Sequence, residues 1–97
     1  MRIKYEDEAK LDLLGIGDYY RKIGGSQLAN RMIKEIRREV NVLTNYTAPP
    51  YEFVPGMHRL VVAKGAFLVF HRVLDTVVEV VHVRRSERTP ATEKDME

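Results

Sequence analysis

The 97-residue chain has no cysteine, no tryptophan and only 8% aromatic residues. Without cysteine there are no disulfides and no thiolate metal ligands, which fits a reducing compartment. No segment approaches the ~18 consecutive apolar residues of a membrane span, so no contact with a membrane is expected. The opening Met1-Arg2-Ile3-Lys4-Tyr5-Glu6-Asp7-Glu8 turns acidic where a secretory signal needs an apolar run, and a cytoplasmic location is expected. Also missing are a nucleotide-binding glycine loop, zinc-ligand spacing and a Ser/His/Asp signature, so neither a metal site nor a cofactor is expected. The three histidines, His58, His71 and His82, have no neighbouring pattern of cysteines or carboxylates to complete a ligand set.

The composition is otherwise ordinary for a globular chain, with 44% hydrophobic and 31% charged residues. At this length one modest core is affordable and two are not. A single domain over residues 1–86 is therefore expected, followed by a mobile tail over 87–97 that lacks hydrophobic periodicity. The formal charge of +2 is unevenly spread: residues 1–85 hold 14 Lys+Arg against 10 Asp+Glu, and residues 86–97 hold 2 against 4. Arg59, Lys64, Arg72, Arg84 and Arg85 cluster with the histidines in the later part of the chain. Such a basic region suits an acidic partner or a nucleic acid, and equally suits solvated strand edges.

Arg2 to Tyr5 alternates polar and apolar residues and reads as a short strand. Ala9, Leu13, Ile16, Tyr20 and Ile23 then recur at helical spacing, as do Ala29, Ile33, Ile36, Val40 and Leu43. Gly24-Gly25 between them suits a helix C-terminus and Ser26 a following N-cap, which predicts an antiparallel helical hairpin. Gly15 and Gly17 weaken the first helix and mark places where another element can come close. Asn45 to Pro55, with Pro49-Pro50, excludes helix and predicts an ordered loop. Met57–Ala63, Ala66–Val73 and Val77–Arg84 read as strands joined by turns at Lys64-Gly65 and Leu74-Asp75-Thr76. The expected fold is α+β, in the order β-α-α-β-β-β, with the first strand and the hairpin packed on one face of an antiparallel sheet. Phe67-Leu68-Val69-Phe70 and Val77-Val78-Glu79-Val80-Val81 are apolar on both faces, so the second face needs cover from the chain or a partner.

In order and spacing these motifs resemble the ParE branch of the ParE/RelE toxin superfamily, over about Ile3 to Ser86. The residues that carry the resemblance are Ala9, Asp12-Leu13, Ile16 and Tyr19 in the first helix, Pro55-Gly56-Met57-His58-Arg59, Phe67-Leu68-Val69-Phe70-His71-Arg72-Val73, and His82-Val83-Arg84-Arg85. His71 stands where the family usually has tyrosine, and Val83 where it often has glycine. The resemblance implies the toxin of a type II toxin–antitoxin pair, silenced by a cognate antitoxin in a hetero-oligomeric complex. The ParE branch implies inhibition of DNA gyrase by protein–protein contact, with no catalytic residues. His82, Arg84, Arg85, Arg59 and Arg72 would then contact the target, and Tyr19, Phe67, Val69 and Glu79 the antitoxin.

The alternative is a ribosome-dependent, metal-independent mRNA endoribonuclease of the RelE type. There phosphate charge needs cations, and two groups must move protons. Arg59 and Arg85 match that branch, while Val61 and Phe67 replace two of its basic residues and no tyrosine follows Arg88. His82 or His71 would have to act as the acid or base, beside Arg59, Arg84 and Arg85. A third reading, a harmless binding module, leaves His82 as a strand-end side chain bonded to backbone. In that case Arg84 and Arg85 are solvated or paired with Glu79 and the tail acids.

Overall fold

The computed structural model describes residues 1–86, and the expected mobile tail lies outside the described residues. The order is β1 (Arg2–Tyr5), α1 (Asp7–Val40), a 3-10 turn (Asn41–Thr44), β2 (His58–Val62), β3 (Phe67–Leu74) and β4 (Val77–Arg85). The α+β class holds: helix packs on a four-stranded sheet of order β1-β4-β3-β2.

Two helices separated by a Gly24-Gly25-Ser26 turn are replaced by one helical span with a break at a single residue. Only Gly25, at φ 81° and ψ 179°, leaves helical geometry. An unbroken helix of 34 residues would run about 51 Å, longer than the 38 Å largest dimension of the molecule. A Cβ built on Gly17 would lie 3.8 Å from Ile33, although an unbroken helix would hold these residues about 24 Å apart. The chain therefore bends back at Gly25, and the missing side chain of Gly17 lets the two halves approach. Ala9, Leu13, Ala29, Ile36 and Val40 are buried, with Ile16, Tyr20 and Ile33 packed beside them. Ile23 is 60% exposed, so the first apolar stripe stops one turn earlier than its spacing suggested.

The sheet is mixed, not antiparallel. β2, β3 and β4 form the expected meander, whereas β1 runs parallel to β4, pairing Ile3 with Val78 and Tyr5 with Val80. The helical crossover is the reason: it carries the chain from β1 to the far edge of the sheet, and the two hairpins bring it back beside β1 in the starting direction. Val62, Phe67, Val69, Val78, Val80 and Val83 face the helix and share its core. The second face is covered by the chain itself, because Tyr51, Val54 and Met57 of the proline loop pack on Phe70 and Val81. The loop is tied down by Tyr51 N–H donating to the Met57 carbonyl at 2.8 Å and Arg59 N–H to that of Pro49 at 3.1 Å. The β2–β3 turn begins one residue early: Ala63, Lys64 and Gly65 all have positive φ, and Ala63 N–H donates to Glu39 Oε2 at 3.0 Å.

The break at Gly25 lies in a region of backbone space open essentially to glycine alone, while Gly15 sits mid-helix with open space around it. Gly25→Ala is expected to destabilise the fold by about 1–3 kcal/mol, and Gly15→Ala to stabilise it by up to about 1 kcal/mol. Urea unfolding midpoints of the two variants should move in opposite directions.

Candidate functional site

β1 ends at Tyr5, opposite Val80, and β4 continues past it to Arg85. Glu6 N–H still donates to the Val80 carbonyl at 2.9 Å, but the chain turns into α1 at Asp7. Farther along the same edge a side chain replaces the absent strand: Val83 N–H donates to Asp12 Oδ2 at 2.9 Å. The step from the Phe70–His82 pair to the His71–Val80 pair leaves Val81 as the extra residue of a bulge, the kind of irregularity that re-aims a strand end.

Asp12 Oδ2 has a second ligand, His82 Nδ1, at 3.1 Å. An ionised carboxylate only accepts, so Nδ1 carries the proton in that contact and, in the neutral ring, Nε2 does not. Arg84 Nη2 also lies 3.5 Å from Nδ1. A nitrogen donating to Asp12 cannot accept from Arg84, and the shorter contact decides: Arg84 is a neighbour of the ring, not its donor. His82 is only 4% exposed.

Arg85 is held by a different force. Its guanidinium lies 4.3 Å from the centre of the Tyr19 ring; Tyr19 meets Tyr20 edge-on at 5.2 Å, and Tyr20 meets Phe67 at 6.4 Å. A cation–π contact thus joins the strand end to a run of aromatics leading into the core. Successive strand residues point to opposite faces, so Arg84 lies in another row, across from Leu68 and the half-exposed Val61. Arg59 shares a row with Phe70 and His82, its guanidinium 5.4 Å from the centre of the Tyr51 ring. Arg72 pairs in register with Glu79, whose other neighbour is Lys4.

Of the five residues of the ribonuclease alternative, Arg84 lies beside His82, whereas Arg59 and His71 stand apart from it. Arg59 and His82 are two strands apart with buried Phe70 between them, about 10 Å by strand spacing. His71 is 1% exposed and stacks on His58 instead, with ring centres 5.7 Å apart. His71 Nδ1 contacts the Val69 carbonyl at 3.1 Å and His58 Nδ1 that of Ala48 at 2.8 Å. Burial lowers the His71 pKa below the usual 6.5; the Val69 carbonyl opposes that shift and the nearby His58 adds to it. Of the expected antitoxin contacts, Phe67 and Val69 are core residues, 2% and 0% exposed, because their side of β3 faces α1. Tyr19 is 43% exposed and Glu79 partly so. Among the described residues no group of three or more His, Cys, Asp or Glu is placed to hold a metal, and no helix is long and apolar enough to cross a membrane.

Residues 3–90 match the family model for the ParE toxin of the type II toxin-antitoxin system, parDE. The chain belongs to the ParE toxin family. A solved structure described as the chromosomal ParDE TA system from P. aeruginosa matches with a TM-score of 0.82 and 26% identity, over 90% of this chain and 97% of that one. No curated protein matches the chain. Membership in the ParE family implies a cognate antitoxin as partner.

In this ParE chain the helix motif and the strand motif touch, through Asp12 to His82 and Tyr19 to Arg85. Asp12 had no role assigned from sequence. Its signal was present: three residues after Ala9 and four before Ile16, it is a carboxylate on the apolar stripe of a helix.

The pKa of His71 sets a pH dependence. An unfolded chain takes up the proton near pH 6.5 and the folded chain only at lower pH, so stability falls as pH drops through about 6.5 toward the folded value, at up to about 1.4 kcal/mol per pH unit. His71→Phe should flatten that part of the stability profile measured by denaturant unfolding between pH 7 and pH 5.

Proposed function

We propose that this ParE-family toxin inhibits DNA gyrase by contact, through the surface formed by Arg84 and Arg85 with Arg59 and Arg72, with His82 supporting it from beneath. The observation that carries the reading is the condition of His82. His82, the side chain best suited to proton transfer, is 4% exposed, while Arg59 and Arg85 are braced by aromatic rings and Arg72 by strand pairing. Ordered guanidinium groups on a rigid strand suit recognition of an acidic protein surface, where arginine is favoured over lysine for its planar donor set. The separation of Arg59, His71 and His82 fits a contact surface better than a site that must supply an acid and a base to one phosphate.

Tyr19 and Glu79 are the outward-facing residues for antitoxin contact in this reading, with Phe67 acting from beneath through Tyr20. A cytoplasmic location follows from the target. Expression without antitoxin should arrest growth, alter DNA supercoiling and leave ribosome-bound messages intact. Arg84→Ala and Arg85→Ala should each weaken inhibition of purified gyrase about tenfold or more, as expected for arginines central to an interface. Cleaved messages with unchanged supercoiling would replace this reading with the endoribonuclease, and absence of growth arrest would replace it with a harmless binding module.

A further inference from the structure

We infer that Asp12 is the positioning residue of the contact surface. It stands in for the strand that β1 does not supply and so fixes where Arg84 and Arg85 point. The inference rests on the reading of the β4 end as a contact surface, and adds to it a residue that touches no target.

The geometry is specific. β1 cannot continue past Tyr5, because the chain enters α1 at Asp7. Among the described residues, the edge of β4 beyond Val80 is met by Asp12 Oδ2, which accepts Val83 N–H at 2.9 Å and His82 Nδ1–H at 3.1 Å. Both bonds lie just after the bulge at Val81, where a strand is freest to change direction. The Val83 side chain is 3% exposed, so the backbone that carries Arg84 and Arg85 is pinned from the core side and from the edge. Tyr19 follows Asp12 by seven residues, two helical turns, and lies on the same face of α1. The first half of α1 thus holds the strand end at two points, by the hydrogen bonds Asp12 accepts and by the Tyr19 ring against Arg85. Both bonds go to one oxygen, so an acceptor is needed there more than a charge.

Asp12→Ala and Asp12→Asn in the full chain test this. Asp12→Ala should speed amide hydrogen exchange at Val83 by about tenfold or more while Val78 and Val80 stay protected, release the Nδ1–H preference of His82 seen in ring nitrogen shifts, and cut gyrase inhibition about tenfold. Asp12→Asn, with its amide oxygen in the same place, should restore Val83 protection and inhibition. Full inhibition by an Asp12→Ala chain whose Val83 amide is exposed would overturn the inference, as would unchanged Val83 protection in that variant. An Asp12→Asn chain with Val83 protected but no inhibition would also overturn it, assigning the effect to charge. If the wild-type chain leaves gyrase untouched, the target reading fails separately, and growth arrest replaces gyrase as the activity scored beside Val83 exchange.

Discussion

One carboxylate oxygen caps the outer edge of β4 where β1 stops, while β3 pairs the other edge as far as Arg85. Asp12 Oδ2 takes a backbone N–H and a ring N–H from adjacent residues of β4, at the point where the neighbouring strand has run out. A buried donor left without an acceptor costs about 1–3 kcal/mol, so the first half of α1 and the β4 terminus stabilise one another locally. What lies downstream depends on that bond. After the bulge at Val81 the strand pairs again with β3 from His82 to Arg85 on one edge and meets Asp12 at Val83 on the other, so the two arginines that follow are set from both sides.

The remaining architecture serves the same strand. The break at Gly25 lets one helical span present two apolar stripes to one face of the sheet, and the proline loop covers the other with Tyr51, Val54 and Met57. β4 is consequently central, paired with β1 on one side and β3 on the other, and its last residues run beyond the end of β1. The same burial that makes the strand rigid removes His82 and His71 from solvent. The strand end so built carries guanidinium groups beside aromatic rings and keeps its histidine ring out of solvent.

Much of this was legible in the sequence because periodicity reports burial. The stripes at Ala9–Leu13 and Ala29–Val40, and the three strands after the proline loop, follow from spacing alone. Long-range pairing was not legible. Nothing local to Arg2–Tyr5 states that its partner is Val77–Val80 or that the pairing is parallel, since the helical crossover sets that direction. Phe67 and Val69 looked available to an antitoxin because strands apolar on both faces do not declare which face the helix takes. Asp12 was visible as a polar residue on an apolar stripe, but its partners are 70 and 71 residues away in sequence. His71 was read as a possible acid or base; its role in the fold is to stack on His58, paired with it across β2 and β3.

The central claim is that the ordered end of β4 is where this toxin meets its target. Amide hydrogen exchange of the whole chain, free and saturated with purified DNA gyrase, tests it most directly. The account predicts new protection concentrated at His82 to Arg85 and around Arg59, with the outer face of the second half of α1 unchanged. Protection confined to α1 or to the β3–β4 turn, with the end of β4 exchanging as in the free chain, would contradict it.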